Sequence, residues 1–139
     1  MNDQQTTIEE MRKKIQVFRE ARGWEKEDAK DMALSLVLEA VELLEYFQWH
    51  TGEEVEEEAR LKGPICDELA DVLWWVLTVA ERLNIDVARA LEVKMQKNDK
   101  KYPVELFGKQ VPMAEKRRAY YRVKAATRGG HPLADEEKI

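Results

Sequence analysis

Two stretches constrain this chain more than any other part of it: Glu39-Ala40-Val41-Glu42 and Glu68-Leu69-Ala70-Asp71. Each sets two carboxylates three positions apart inside an apolar run of helical period, so each pair projects from one helix face about a turn apart. Neither has the pattern of a solvated charged face. Four acids that converge near an apolar interior repel one another, and an isolated buried carboxylate is costly, unless a cation neutralises them. A hard divalent metal with an oxygen-rich shell meets that demand.

The remaining periodicity is helical, with no alternating strand pattern, which makes the fold class all-α. Thr7 and Glu10 stand in capping-box spacing ahead of a stripe of Ile8, Met11, Ile15 and Phe18, predicting a first helix over about 7–22 with Gly23 as its stop. Asp28 is the candidate N-cap of a second helix over about 29–49. Its core side is Leu34, Val37, Leu38, Val41, Leu44 and Phe47, and Ser35, Glu39, Glu42, Tyr46 and Trp49 share the other stripe. Residues 51–62 are highly charged and read as a solvated loop with room for a short helix.

Gly63-Pro64 opens a third helix over about 64–83, the most hydrophobic of the set. Leu69, Val72, Leu73, Val76, Val79, Ala80 and Leu83 form its broad buried surface, and Glu68, Asp71, Trp75, Thr78 and Arg82 its narrower stripe. Trp74 and Leu77, beside the core stripe, remain as apolar surface for assembly to cover. After the break at Asn84-Ile85-Asp86, with Asp86 as N-cap, a fourth helix runs over about 87–101 and stops at Tyr102-Pro103. Lys94, Asn98, Lys101 and Tyr102 form one polar edge of it, suited to a polyphosphate, with ordinary helix surface as the plainer alternative.

The length of 139 residues fits one domain, divided here into a helical part, 1–108, and a basic, partly disordered tail, 109–139. A net charge of −5 argues against a binder of nucleic-acid backbone. The single cysteine, Cys66, cannot form an internal disulfide and reads as a buried structural thiol. No apolar stretch reaches membrane-spanning length, so a cytoplasmic setting without membrane partners is expected. Inward-pointing carboxylates also describe di-iron bundles, but those use Glu-x-x-His, and neither His50 nor His131 has that spacing. Oxygen-only ligation points to Mg²⁺, with Mn²⁺ as a substitute, and to phosphoanhydride or phosphate-ester chemistry.

Over residues 7–108 the sequence resembles the all-α nucleoside triphosphate pyrophosphohydrolases, the MazG-like superfamily, and within it the small dCTP pyrophosphatase branch. The resemblance is carried by Gly23-Trp24, the two paired-acid motifs, Asn84-Ile85-Asp86, and Lys94 to Glu105 with its Lys-x-x-x-Asn-x-x-Lys-Tyr-Pro pattern. It implies conversion of an NTP or dNTP to the monophosphate and pyrophosphate, in nucleotide-pool house-cleaning. It implies Mg²⁺ ligands at Glu39, Glu42, Glu68 and Asp71, with Glu39 or Glu42 also helping to activate the attacking water. Lys94, Asn98 and Tyr102 match positions holding phosphates and sugar, Arg82 a basic position of the same set, and Trp24 and Trp49 aromatic positions enclosing the base. For Trp49 a core aromatic or a subunit contact stays open. The resemblance further implies a four-helix bundle subunit in a dimer or tetramer. The chain departs from its relatives at Ile15 and at Glu27-Asp28-Ala29-Lys30-Asp31, both near the implied base pocket. Alternatives are a hydrolase of dUTP or another nucleotide-like phosphoanhydride, and a helical interaction module with dispersed acids.

Overall fold

A computed structural model of the chain describes residues 1–61 and 63–128, and among these all regular structure is helical. The α-helices are α1 (Ile8–Glu20), α2 (Ala29–Gln48), α3 (Gly52–Arg60), α4 (Pro64–Arg82), α5 (Val87–Lys101), α6 (Val104–Phe107) and α7 (Met113–Arg128), with a 3₁₀ turn at Trp24–Lys26. The chain divides into two units, Met1–Ala88 and a second from Arg89 onward. None of these helices is long and apolar enough to cross a membrane.

Local chemistry sets the boundaries. Thr7 caps α1 in a capping box with Glu10, and Gly23, at φ 72°, follows the end of that helix in the left-handed region where glycine is unstrained. Asp28 caps α2 by accepting from the Lys30 N–H, and Gly63-Pro64 starts α4 with proline in the first turn, where no N–H is needed. Asn84, at φ 53°, closes α4: its N–H donates to Glu81 and the Ile85 N–H to Ala80, the paired bonds of a Schellman ending. The charged stretch after α2 is a nine-residue helix, α3, begun by a second capping box between Thr51 and Glu54. Its apolar Val55 is buried, Glu58 is half-buried and its other glutamates remain in solvent.

In the first unit α2 packs along α4, and α1 and α3 also pack on α4. The faces turned inward differ from those the apolar pattern suggests. On α2 the buried residue is Met32, and Leu36, Glu39, Leu43 and Tyr46 are half-buried beside it. The expected core side of α2 is outward: Leu34, Val37, Leu38, Val41, Leu44 and Phe47 are all exposed, Leu38 to 61%. On α4, Leu69, Leu73 and Val76, and Leu83 at its C-cap, are exposed as well; of the expected buried surface Ala80 is buried and Val72 and Val79 are half-buried, and Ile65, Leu77 and Thr78 are buried with them. Leu77 and Trp74, expected at the surface, are covered instead, and Trp74 meets Phe18 of α1 edge-on at 5.2 Å between ring centroids. The reason is geometric: α1 occupies the side of α4 carrying Trp74 and Leu77, which leaves the apolar stripe of α2 and part of that of α4 uncovered. Cys66, expected buried, is exposed, with its thiol donating to the Ala59 carbonyl.

In the second unit Tyr102 packs edge-on to Phe107 at 5.2 Å, and α6 packs on α7. Within the expected tail, residues 113–128 form α7, on which Ala119 is buried. Residues 129–139 of the expected tail lie outside the described residues.

Candidate active site

The pairing of α2 with α4 turns their acid-bearing stripes toward each other. One carboxylate oxygen each from Glu39, Glu42 and Glu68 lie within 4.8 Å of one another. Glu39 and Glu68 are half-buried and Glu42 is exposed, so the cluster sits at the mouth of the helix pair. Burial first, and then the charges of Glu42, Asp71 and Glu39, push the Glu68 carboxyl above its ordinary range. Tyr46, one turn after Glu42 on the same stripe, has its hydroxyl pKa raised by burial and by the Glu68 charge. Asp71 follows Glu68 by a turn of α4 and is exposed, outside the group of three.

The donor set fits a hard cation. Three carboxylate oxygens within 4.8 Å of one another offer the all-oxygen donors that such an ion takes. The cluster can therefore hold a metal ion, which would replace the mutual repulsion felt at Glu68 with attraction.

One cluster member is already fastened: the Trp75 indole N–H donates to Glu39 Oε1 at 3.2 Å. Behind that ring lies Arg19, 4% exposed, with its guanidinium 5.3 Å from the Trp75 ring centroid. Arg19 donates to the Trp24 carbonyl at 2.6 Å and to Glu27 Oε2 at 2.8 Å. The sequence places Trp75 on the acid stripe, but nothing local distinguishes Arg19 from the other cations of α1. Trp24 and Glu27 follow it within eight residues, and Trp75 comes from the distant α4.

Arg19, Gly23, Trp24, Glu27 and Trp75 line an open cleft of about 430 Å³, which puts Trp24 across a hollow from the residue that touches Glu39. A second cleft of about 240 Å³, between α1 and the C-terminal half of α4, is lined by Ile15, Arg19, Met32, Thr78 and Arg82 among others. Arg12 borders it, paired with Glu81 and with its Nε buried and unpartnered. Arg82 is the last residue of α4, three turns beyond Asp71. Trp49 is the C-cap of α2 and is 83% exposed. In the second unit, Lys94 is exposed on α5, and Asn98, Lys101 and Tyr102 are half-buried at its end. The Tyr102 N–H donates to Asn98 at 2.7 Å, and the Lys101 ammonium lies 5.4 Å from the Tyr102 ring centroid.

Residues 34–110 match the MazG-like family. Over 104 residues, 72% of this chain, it is 35% identical to dCTP pyrophosphatase 1 of Bos taurus and 34% identical to that of Homo sapiens. The chain spans 62% and 61% of the length of those two relatives. It also resembles the crystal structure of a pyrophosphatase from Archaeoglobus fulgidus, with a TM-score of 0.63 and 37% identity, over 74% of this chain and 98% of that one.

Proposed function

Because the chain belongs to the MazG-like family, we propose that it is a Mg²⁺-dependent nucleotide pyrophosphohydrolase that converts a (d)NTP and water to the monophosphate and pyrophosphate. The observation that carries this reading is the convergence of Glu39, Glu42 and Glu68 from two helices onto one point. The same convergence pushes the Glu68 carboxyl up, a repulsion that a bound cation would relieve. The relatives named for dCTP make dCTP, or a dNTP modified on its base, the substrate of this proposal.

The residue roles follow from charge and position. Glu39, Glu42, Glu68 and Asp71 hold the metal, which, when bound, neutralises phosphate oxygens and lowers the pKa of water. Glu39 or Glu42 takes the proton as the water oxygen bonds to the α-phosphorus and pyrophosphate departs with the electron pair of the broken anhydride bond. Lys94, Asn98, Lys101, Tyr102 and Arg82 bind phosphates and sugar, and Trp24 and Trp49 stack on the base. Trp24 is supported by its place on the cleft that reaches Trp75.

The outward apolar faces of α2 and α4 call for a cover, since exposed Leu34, Val37, Leu38, Leu69 and Leu73 would otherwise stand in water. A second copy of the chain supplies it in this reading, giving a homodimer or homotetramer of four-helix bundle subunits in the cytoplasm. The test is pyrophosphate release, resolved from orthophosphate, across canonical and modified NTPs and dNTPs with Mg²⁺ and with EDTA. Mg²⁺-dependent monophosphate and pyrophosphate from one or a few substrates is the expected result. Turnover of none of them would overturn the proposal.

A further inference from the structure

We infer that the Trp75 indole positions the Glu39 carboxylate for the cation, and that the buried Arg19 guanidinium fixes the indole. This rests on the metal role proposed above for the acid cluster. The contacts form one continuous series within the first unit. Glu27 and the Trp24 carbonyl hold Arg19, Arg19 lies against the Trp75 ring, and the Trp75 N–H reaches Glu39 Oε1.

Each link limits the next. A buried guanidinium must keep its partners, because swinging away would leave a charge without compensation. With Arg19 clamped by two acceptors, its charge is held near an aromatic ring, an arrangement that is favourable when water is excluded. The indole has one donor and no acceptor, so its orientation decides which atom receives the N–H. That atom is one oxygen of Glu39, which leaves the other oxygen, and the remaining lone pair of the first, for a cation.

The chemistry of the donor matters as much as its place. A lysine or arginine touching Glu39 would fasten the carboxylate but bring a positive charge that competes with the metal. The neutral indole N–H orders the side chain and leaves its full negative charge available, while the Arg19 charge stays behind the ring. Among the described residues, Glu39 is the only member of the three-acid cluster whose carboxylate accepts a hydrogen bond. Hydrogen bonds to ligating groups are worth about 10–100-fold in metal affinity where they have been removed.

The experiment is a binding measurement on the full chain without nucleotide: free Mn²⁺ followed by electron paramagnetic resonance during titration. Four proteins are compared, wild type, Trp75→Phe, Glu39→Gln and the double variant, with helicity checked by circular dichroism. Trp75→Phe should weaken Mn²⁺ binding about tenfold, and should cost nothing further when Glu39 is already glutamine. Arg19→Lys keeps the buried charge without the planar fork, and should weaken binding by less than Trp75→Phe does. Wild-type affinity in Trp75→Phe, or an equal loss in both backgrounds, would overturn the inference and leave the metal reading standing. Wild-type affinity in Arg19→Lys would overturn the part assigned to Arg19. A wild type that takes up no Mn²⁺ would overturn the metal reading and this inference together.

Discussion

Glu10 and Glu54 stand where backbone N–H groups converge at a helix start, and Glu68 stands where other carboxylates converge between two helices. At the starts of α1 and α3 the glutamate accepts from the cap residue's own N–H, at 2.7 Å in both, and its pKa is lowered chiefly by that bond. In the cluster the pKa of the same side chain is raised by burial and by Glu42, Asp71 and Glu39. The cap carboxylates find their compensation inside the chain, whereas in the cluster only Glu39 has a partner, the neutral Trp75 N–H, among the described residues. Carboxylates of the first kind serve the fold, and those of the second are the ones assigned above to the proposed metal.

The largest test of that division is catalytic. Glu42→Gln and Asp71→Asn should each keep the helical fold and lose turnover by about a thousandfold or more, since each removes charge that the proposed metal needs. Asp71 makes this the more searching variant, because it lies outside the group of three. Full activity in Asp71→Asn would confine the ligands to Glu39, Glu42 and Glu68. Next in size is the effect of the cation on stability. Mg²⁺ at a hundred times its dissociation constant should stabilise the wild type by about 2.7 kcal/mol and raise its melting temperature, but should do little for Glu39→Gln or Glu42→Gln. A melting temperature indifferent to Mg²⁺ in the wild type would erase the contrast between the two kinds of carboxylate.

A smaller effect comes from the other side of the comparison. Thr51→Ala removes the cap of α3 and should cost about 1 kcal/mol in chemical denaturation. It should leave kcat and the Mg²⁺-induced stabilisation where they are. A loss of turnover there would mean that α3 reaches the site after all.

How much of this was legible in the sequence follows from how far apart the causes lie. Thr7, Asp28, Gly63 and Pro64 mark helix starts through contacts within a few residues, so their meaning is local. Thr51 and Glu54 carry the same signal as Thr7 and Glu10, but the glutamates around them masked it as a solvated stretch. The two acid motifs also showed that the carboxylates share a face with Tyr46 on one helix and Trp75 on the other. The identity of the inward face was not legible. A helical period tells which residues share a stripe, not which neighbour the stripe meets, and the more apolar stripe of α2 faces out of the chain. Arg19 was invisible for the same reason, since the ring it lies against, Trp75, belongs to α4.

The smallest effect is the most specific, because it carries a sign. A carboxyl whose pKa is raised on folding binds its proton more tightly in the folded state. The stability it contributes is fully present below the unfolded value, 4.5 for Glu68, and is lost as pH rises through the higher folded value. Glu10 and Glu54 run the other way: their contribution is present above 4.5 and is lost as pH falls through their lowered folded values. In EDTA, Glu68→Gln should therefore gain on the wild type as pH rises through the Glu68 titration, because the amide never charges. Glu54→Gln should lose ground to the wild type over the rising acid limb, where the cap carboxylate comes into play. Saturating Mg²⁺ should reverse the first trend and leave the second alone, since the cation favours the ionised cluster and has no business at a helix cap. Denaturation midpoints across pH 3–7 for the three proteins, with and without Mg²⁺, decide it. Parallel curves for Glu68→Gln and Glu54→Gln would mean that the two environments do not treat a glutamate differently.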